Sequence, residues 1–172
     1  LQERIYKADR EMKANGIVAV GDISNTNDSF DVKAKSDIYY HTFIEVFAIS
    51  NQASPEVMQT AEENSLQCGT LGISHSIVPH AAYSVPSEMR RMIKEINNDK
   101  VQIISVHNQE TPSEDEMIRS MSGKLAEVLK KKGFQFQDFS FQKNDALKTN
   151  LSILKREDNI LLIHNTFSKE DD

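Results

Sequence analysis

The most informative part of the sequence is the run Val101-Gln102-Ile103-Ile104-Ser105-Val106-His107-Asn108-Gln109-Glu110. Its apolar residues predict a buried β-strand that ends at His107 and is followed by a loop that contains Glu110. A neutral imidazole at the carboxyl end of a strand can bind a metal ion, and a nearby carboxylate can carry protons. The run therefore predicts one strand of a sheet and one edge of a functional site.

A second run, Ile160-Leu161-Leu162-Ile163-His164-Asn165, ends in the same way, with a histidine at the exit of a strand. The sequence around these two runs alternates between strand and helix patterns. Strands are predicted over residues 17–23, 39–49, 72–79, 101–107 and 159–164. Helices are predicted over residues 2–15, 55–66, 87–96, 114–132 and 145–154, and a polar loop over residues 24–36.

This alternation predicts βαβ units and a parallel sheet. We expect a single α/β domain over residues 1–172, because no low-complexity segment or long linker interrupts the pattern. Five strands can form an open doubly wound sheet or part of an eight-stranded barrel. The barrel is favoured because polar residues stand at or near the carboxyl ends of five strands, whereas an open sheet concentrates its site at one crevice. These residues are Asp22, Glu45, His80, His107 and His164.

Composition narrows the classes of protein that the sequence can encode. With 38% hydrophobic and 27% charged residues, the 172-residue chain is typical of one globular domain. A net charge of −6 without a basic stripe argues against nucleic-acid binding. No apolar run approaches the ~20 residues of a membrane span, so a cytoplasmic location is expected by default. The single cysteine, Cys68, excludes an internal disulfide and predicts a buried apolar role.

Four strings, in this order and spacing, resemble the metal-dependent amidohydrolase superfamily. They are Phe43-Ile44-Glu45-Val46-Phe47, Pro79-His80-Ala81-Ala82-Tyr83-Ser84, His107-Asn108-Gln109-Glu110 and His164-Asn165-Thr166-Phe167. The branch they resemble holds the chlorohydrolases and the aminohydrolases, including adenosylhomocysteine, aminodeoxyfutalosine and guanine deaminases. The resemblance implies that nearly the whole chain corresponds to strands two to six of a TIM-like (β/α)8 barrel, a parallel sheet with flanking helices.

The resemblance also implies a role for each matching residue. His107 matches a metal ligand, and Glu110 matches the acid/base that takes a proton from water and returns it to the leaving amine. His164 matches a residue that is a metal ligand in some members and a proton shuttle or substrate contact in others. His80 matches a substrate contact, and Glu45, a carboxylate inside an apolar strand, is expected to contact substrate or support the site. The implied cofactor is a divalent metal, zinc or iron.

Parts of the family pattern have no counterpart in the sequence. No two histidines are two residues apart, so the His-x-His pair of strand one is missing. The aspartate of strand eight, strands one, seven and eight, and the small β-sandwich also have no match. We therefore expect an internal fragment of a longer hydrolase, inactive by itself. A cut barrel leaves two unpaired strand edges, and we expect the fragment to self-associate through them.

Three functional interpretations fit the sequence. The first is a metal-dependent hydrolase of a C–N bond in a cyclic or aromatic small molecule, with deamination preferred over C–Cl cleavage. The second is a non-catalytic α/β module that binds a ligand or partner, and the third is an open-sheet enzyme with structural histidines.

Asp22 can equally cap the turn after its strand. His41 and His75 are predicted not to be ligands, because both lie upstream in their strands.

Overall fold

The structure, a computed structural model, describes residues 1–97, 101–141, 145–154 and 158–168. Its strands are β1 (Ala19–Ser24), β2 (Tyr39–Val46), β3 (Ser74–Pro79), β4 (Ile103–Asn108) and β5 (Asn159–His164). Its α-helices are α1 (Gln2–Ala14), α2 (Phe30–Lys33), α3 (Ser54–Thr70), α4 (Ser87–Ile96), α5 (Pro112–Ser120), α6 (Gly123–Lys131) and α7 (Ala146–Leu151). Short 3-10 turns cover Ala82–Ser84 and Phe136–Asp138. Within these described ranges, every helix is too short or too polar to cross a membrane.

The strands pair in parallel, as predicted. β1 lies beside β2 with Ala19 opposite Tyr39, and β3 lies on the other side of β2. β4 lies beside β5 with Ile103 opposite Asn159. Neighbouring strands follow the order of the chain and are joined by segments that contain helices, so the predicted α/β architecture with flanking helices is confirmed. Whether these strands form part of a closed barrel stays a prediction.

The described chain falls into two compact units, of which the first comprises Leu1–Glu45 and Gln59–Ile77. Its apolar core includes the fully buried Phe30 and Cys68. A buried polar cluster surrounds Lys33, whose ammonium lies 2.5 Å from a carboxylate oxygen of Asp22. The same ammonium donates hydrogen bonds to the hydroxyls of Ser24, at 2.9 Å, and Thr42, at 3.0 Å. These partners compensate the cost of burying the lysine charge.

The second unit comprises Val46–Met58 and Val78–Asp172. Helices α5 and α6 pack around a cluster formed by Met117, Ala126 and Leu129. The segment after β3 is anchored by the buried Arg90 of α4, which donates hydrogen bonds to the carbonyls of Val85 and Ala82 at 2.9 and 2.6 Å. A third bond from its guanidinium reaches the Ser140 carbonyl. These bonds fix the turn that follows His80.

The helix predicted over residues 114–132 is wrong, because the chain forms two helices there. Met121 ends α5 in the left-handed conformation, with φ 53°, and Gly123, with φ 86°, begins α6. Apolar side chains on both helices face the same cluster, so the helical spacing of apolar residues continues across the break. The spacing of apolar residues therefore did not indicate the break between the two helices.

The continuous apolar run over residues 17–23 predicts a strand that is covered on both faces, and this prediction is wrong. Val18, just before the strand, is 77% exposed, and Ile23 within it is 39% exposed. β1 is an outer strand of its three-stranded sheet, and a continuous apolar run does not distinguish an outer strand from a central one. Other bounds also differ: β2 ends at Val46 and not at 49, because the chain turns and the Ala48 N–H bonds to the Ser84 carbonyl. The predicted loop over 24–36 contains α2.

Candidate active site

The centre of the candidate site is the junction between β3 and β4 in the second unit. The backbone N–H of His107 donates a hydrogen bond to the carbonyl of His80 at 2.8 Å, and Ala81 forms a parallel bridge with His107. This pairing brings the two imidazole rings to a centroid separation of 4.9 Å. A ring nitrogen of each lies within 4.8 Å of the other, so the two side chains can reach a common ion or ligand.

His80 is held by its neighbours after the end of β3. Its backbone N–H donates to the Val46 carbonyl at 3.1 Å, which continues the pairing with the end of β2. Its Nδ1 atom lies 2.6 Å from the hydroxyl of the buried Ser84. The Tyr83 ring meets the imidazole edge-on at a centroid distance of 5.8 Å. These contacts restrain the orientation of the ring.

His164 reaches the site through an unusual backbone conformation. The register of β4 and β5 pairs His107 with Ile163 and Asn108 with His164, so a regular strand would direct the His164 ring to the opposite face from that of His107. His164 instead has φ 76°, which interrupts the alternation of faces. Its ring stacks on that of His107 at 5.3 Å with an interplanar angle of 29°.

Glu110 lies on the loop after β4 and faces His164. One carboxylate oxygen, Oε1, is 3.7 Å from Nε2 of His164. The glutamate side chain is 47% exposed and the histidine side chain 35% exposed, so water reaches both. This distance is just beyond hydrogen-bond range, so a small movement of either side chain lets the carboxylate and the imidazole exchange a proton.

Buried amide side chains support the loop between β4 and Glu110. Asn108 is fully buried, and its Nδ2 donates to Oδ1 of Asn165, next to His164, at 2.9 Å. Its Oδ1 accepts from Nδ2 of Asn150 on α7 at 3.0 Å, and the same Nδ2 also donates to the His107 carbonyl at 3.2 Å. These amides connect the ends of β4 and β5 to α7. Strand patterns in the sequence gave no sign of them.

Glu114 is a further residue whose role the strand and helix patterns did not indicate. Its carboxylate is buried and accepts hydrogen bonds from the backbone N–H groups of Glu110 and Gln109. Burial raises the pKa of Glu114, and the two N–H groups oppose this shift. A signal was present in the string Thr111-Pro112-Ser113-Glu114, which is a capping box with proline at the first helical position.

The remaining predicted polar residues lie in the first unit. The backbone carbonyl of Glu45, near the end of β2, accepts a hydrogen bond from Asn25 at 3.0 Å, and its role at the site stays a prediction. Asp22 forms the ion pair with Lys33. Both ring nitrogens of His41 and His75 contact protein groups at 2.8–3.0 Å. The contacts are Ser74 and Ser76 for His41, and Ile73 and Ser65 for His75.

The solved structures that are similar to this chain include two of aminofutalosine deaminase from Helicobacter pylori. The first matches with a TM-score of 0.79 and 21% identity over 98% of this chain and 42% of the solved chain. The second is a complex with methylthio-coformycin, and matches with a TM-score of 0.80 and 20% identity over 95% of this chain and 40% of the solved chain. No protein-family model matches the chain, and no curated protein matches it in sequence.

The comparison assigns the chain to a class of fold. The chain has the α/β fold of part of a deaminase. The four sequence strings indicated this class of fold, so the predicted resemblance is confirmed at the level of the fold. The chain spans less than half the length of the solved chains that it matches.

The side chains gathered here suit a divalent transition metal. Imidazole nitrogens are common ligands of zinc and iron, and His107 lies between two other imidazoles, His80 and His164. Glu110, whose carboxylate can transfer protons, lies beside His164. The donor set therefore fits the cofactor that the sequence resemblance implied.

Proposed function

We propose that the chain is part of a metal-dependent hydrolase that acts on the C–N bond of a cyclic or aromatic amine. One observation supports this most strongly. His80, His107, His164 and Glu110, from three successive strand ends, converge in one unit of a fold that a deaminase shares. Deamination is preferred over C–Cl cleavage, because a departing amine needs a proton, which Glu110 can supply, whereas chloride leaves without one.

In this proposal His107 and His164 hold the metal, which is zinc or iron. When bound, such an ion lowers the pKa of water to about 7 and makes a nucleophile available at neutral pH. His80 contacts the substrate, and the role of Glu45 stays a prediction. The close approach of His80 to His107 supports a position for His80 at the edge of the metal site.

Glu110 moves the proton in this reaction. Its carboxylate takes one proton from the attacking water, a C–O bond forms at the ring carbon, and the C–N bond breaks. The same proton then passes to the departing nitrogen, which leaves as ammonia. In its alternative role His164 is not a metal ligand, and its imidazole, 3.7 Å from the carboxylate, would hold or relay that proton or orient the substrate.

The proposed substrate is a small molecule with an amino group on an aromatic ring. The printed names of the two solved structures identify an aminofutalosine deaminase and its complex with methylthio-coformycin. We propose the same chemical class for the protein that contains this chain, with no nucleic-acid or membrane partner and a cytoplasmic location. These 172 residues, which we take to be a fragment, are proposed to be inactive alone.

Ammonia release by the full-length protein tests this function. We expect metal-loaded protein to release ammonia from aminofutalosine, a metal chelator to stop the release, and added zinc to restore it. His107→Ala should abolish release, whereas the matched control His75→Ala, at a histidine whose ring contacts protein groups in the first unit, should retain it. Absence of ammonia from metal-loaded protein, or equal release by the His107→Ala variant, would contradict the proposal.

A further inference from the structure

A buried carboxylate lies directly behind the loop that carries Glu110. Glu114 is 2% exposed, although it belongs to the first turn of α5. Its Oε2 atom accepts the backbone N–H of Glu110 at 2.9 Å, and its Oε1 atom accepts that of Gln109 at 3.3 Å. Each carboxylate oxygen therefore holds one residue of the loop.

This arrangement goes beyond an ordinary helix cap. In a capping box the third helical residue reaches back to the N–H of the capping residue, which here is Thr111. Thr111 does accept from the Glu114 N–H, through its carbonyl at 3.1 Å and its hydroxyl at 3.4 Å. The Glu114 side chain, however, contacts N–H groups one and two residues before Thr111. Its hydrogen bonds thus stabilise the loop as well as the helix.

The chemistry of the contact explains why a carboxylate is present. Two backbone donors converge on one side chain, and an ionised carboxylate accepts both, whereas glutamine has one acceptor oxygen and would direct its NH2 group at the second donor. Burial disfavours the charge and raises the pKa of Glu114. A neutral side chain at this position would avoid the cost of burying a charge. The presence of the Glu114 carboxylate therefore indicates that the loop must be held in one conformation.

The loop has a backbone conformation that needs support. Gln109 has φ 49°, in the left-handed region that side-chain-bearing residues seldom adopt. Its side-chain oxygen accepts hydrogen bonds from Asn108 at 3.1 Å and Ser168 at 2.7 Å. The Glu114 carboxylate holds the N–H groups on either side of the Gln109 turn, and the direction of the Glu110 side chain follows from this turn.

We propose that Glu114 is a positioning residue for proton transfer, which fixes the backbone of Gln109 and Glu110 so that the Glu110 carboxylate faces His164. Glu114 itself does not contact the reacting atoms. The inference rests on the proposed function for its consequence in catalysis, but its structural part can be tested without any activity.

Amide hydrogen exchange of the 172-residue chain tests the structural part. In Glu114→Gln the amides of Gln109 and Glu110 should exchange about 10- to 100-fold faster, the range expected for losing a hydrogen bond to a charged group. Amides of β4 should stay protected and show that the variant folds. The control Glu116→Gln, at an exposed acidic residue of the same helix, should leave both amides unchanged. Unchanged exchange at both amides in Glu114→Gln would overturn the proposal.

A shorter side chain supplies a second variant. Glu114→Asp keeps the charge and both acceptor oxygens but is one methylene shorter. If Glu114 acts through its hydrogen bonds to the loop, the shorter side chain cannot form them. The amides of Gln109 and Glu110 should then exchange faster in Glu114→Asp, as they do in Glu114→Gln. Full protection in this variant would show that charge and not contact matters, and would overturn the proposal.

A double-mutant cycle in the full-length enzyme tests the catalytic part. Glu114→Gln should lower kcat by about 10- to 100-fold with a smaller change in KM, and should have no further effect when Glu110 is already glutamine. Independent, additive losses would show that Glu114 acts through another residue and would overturn the proposal. If the wild-type enzyme releases no ammonia, the proposed function fails, and the exchange experiment alone decides the role of Glu114.

Discussion

At the scale of single residues, the environment of Cys68 gives a direct chemical prediction. The thiol is fully buried, and burial raises its pKa from about 9 to about 11, a shift that the Lys33 ammonium partly opposes. Because the thiolate is the reactive form, we expect a disulfide reagent at pH 8 to modify the native chain about 10²-fold more slowly than the unfolded chain. Stopped-flow absorbance measures both rates, and the Cys68→Ala variant supplies the background.

The raised pKa of Cys68 also determines how the free energy of unfolding changes with pH. Between about pH 9 and pH 11 the thiol ionises in the unfolded chain before it ionises in the native one, so the free energy of unfolding falls as the pH rises. The wild type should lose more stability over this interval than Cys68→Ala. Equal modification rates in native and unfolded chain, or parallel pH profiles of the two proteins, would contradict the assigned burial.

Single residues also show what the sequence can predict of a site. His107, Glu110 and His164 were predicted because each follows an apolar strand, and parallel strands place their carboxyl ends at one edge. The conformation of His164 could not be predicted this way, since a left-handed histidine leaves no mark in the pattern of apolar residues. The role of Glu114 depends on hydrogen bonds to backbone atoms, which no periodicity encodes.

At the scale of elements, the break between α5 and α6 predicts the effect of two glycine substitutions. Gly123 has φ 86°, so Gly123→Ala should lower the free energy of unfolding by about 1–2 kcal/mol, the cost of a left-handed alanine. The added methyl group would also meet the carboxylate of Glu116, but that side chain is exposed and can move. Urea denaturation of the chain measures the change.

A matched control lies in α3. Gly69 is an exposed helical residue without positive φ, and an added methyl group would meet only the His75 ring at 3.9 Å. Gly69→Ala should therefore leave stability unchanged or raise it by about 0.4–1 kcal/mol. Destabilisation by the two substitutions to the same extent would show that the break between α5 and α6 does not require glycine.

The elements also show where sequence patterns suffice. Helix α4 and strand β5 have the predicted bounds, since Pro86 and Ser87 mark the start of the helix and the strand is a short apolar run next to a histidine. Helix α6 ends at Lys131, one residue before the predicted end at Lys132, and Gly133 follows with φ 88°. The break before α6 and the exposure of β1 were missed because both depend on tertiary neighbours and not on local composition.

At the scale of the whole molecule, we propose that the chain self-associates. β1 is an outer strand of its sheet, β5 pairs only with β4 among the described strands, and both expose apolar side chains. Ile23 on β1 is 39% exposed and Leu161 on β5 is 46% exposed. Unprotected strand edges of this kind pair with other chains. Sedimentation at micromolar concentration should give a mass above the 19.5 kDa of the monomer.

Charged substitutions identify the surface responsible. Leu161→Lys on β5 should shift the chain toward monomer, because a lysine on an edge strand opposes pairing. Leu66→Lys, at a leucine that is 75% exposed on the helix α3, should leave the mass unchanged. A wild-type monomer with both outer strands protected from amide exchange would contradict self-association and favour an open sheet over a cut barrel.

If Glu110 carries the proton in a metal-dependent deamination, its substitution should greatly lower turnover without loss of the metal. Ammonia release and metal content are measured together for full-length wild type and Glu110→Gln. We expect equal metal content, an unchanged fold and a kcat that is lower by about 10²–10⁴ in Glu110→Gln, the usual contribution of a positioned acid/base. Wild-type turnover by Glu110→Gln would show that Glu110 does not carry the proton.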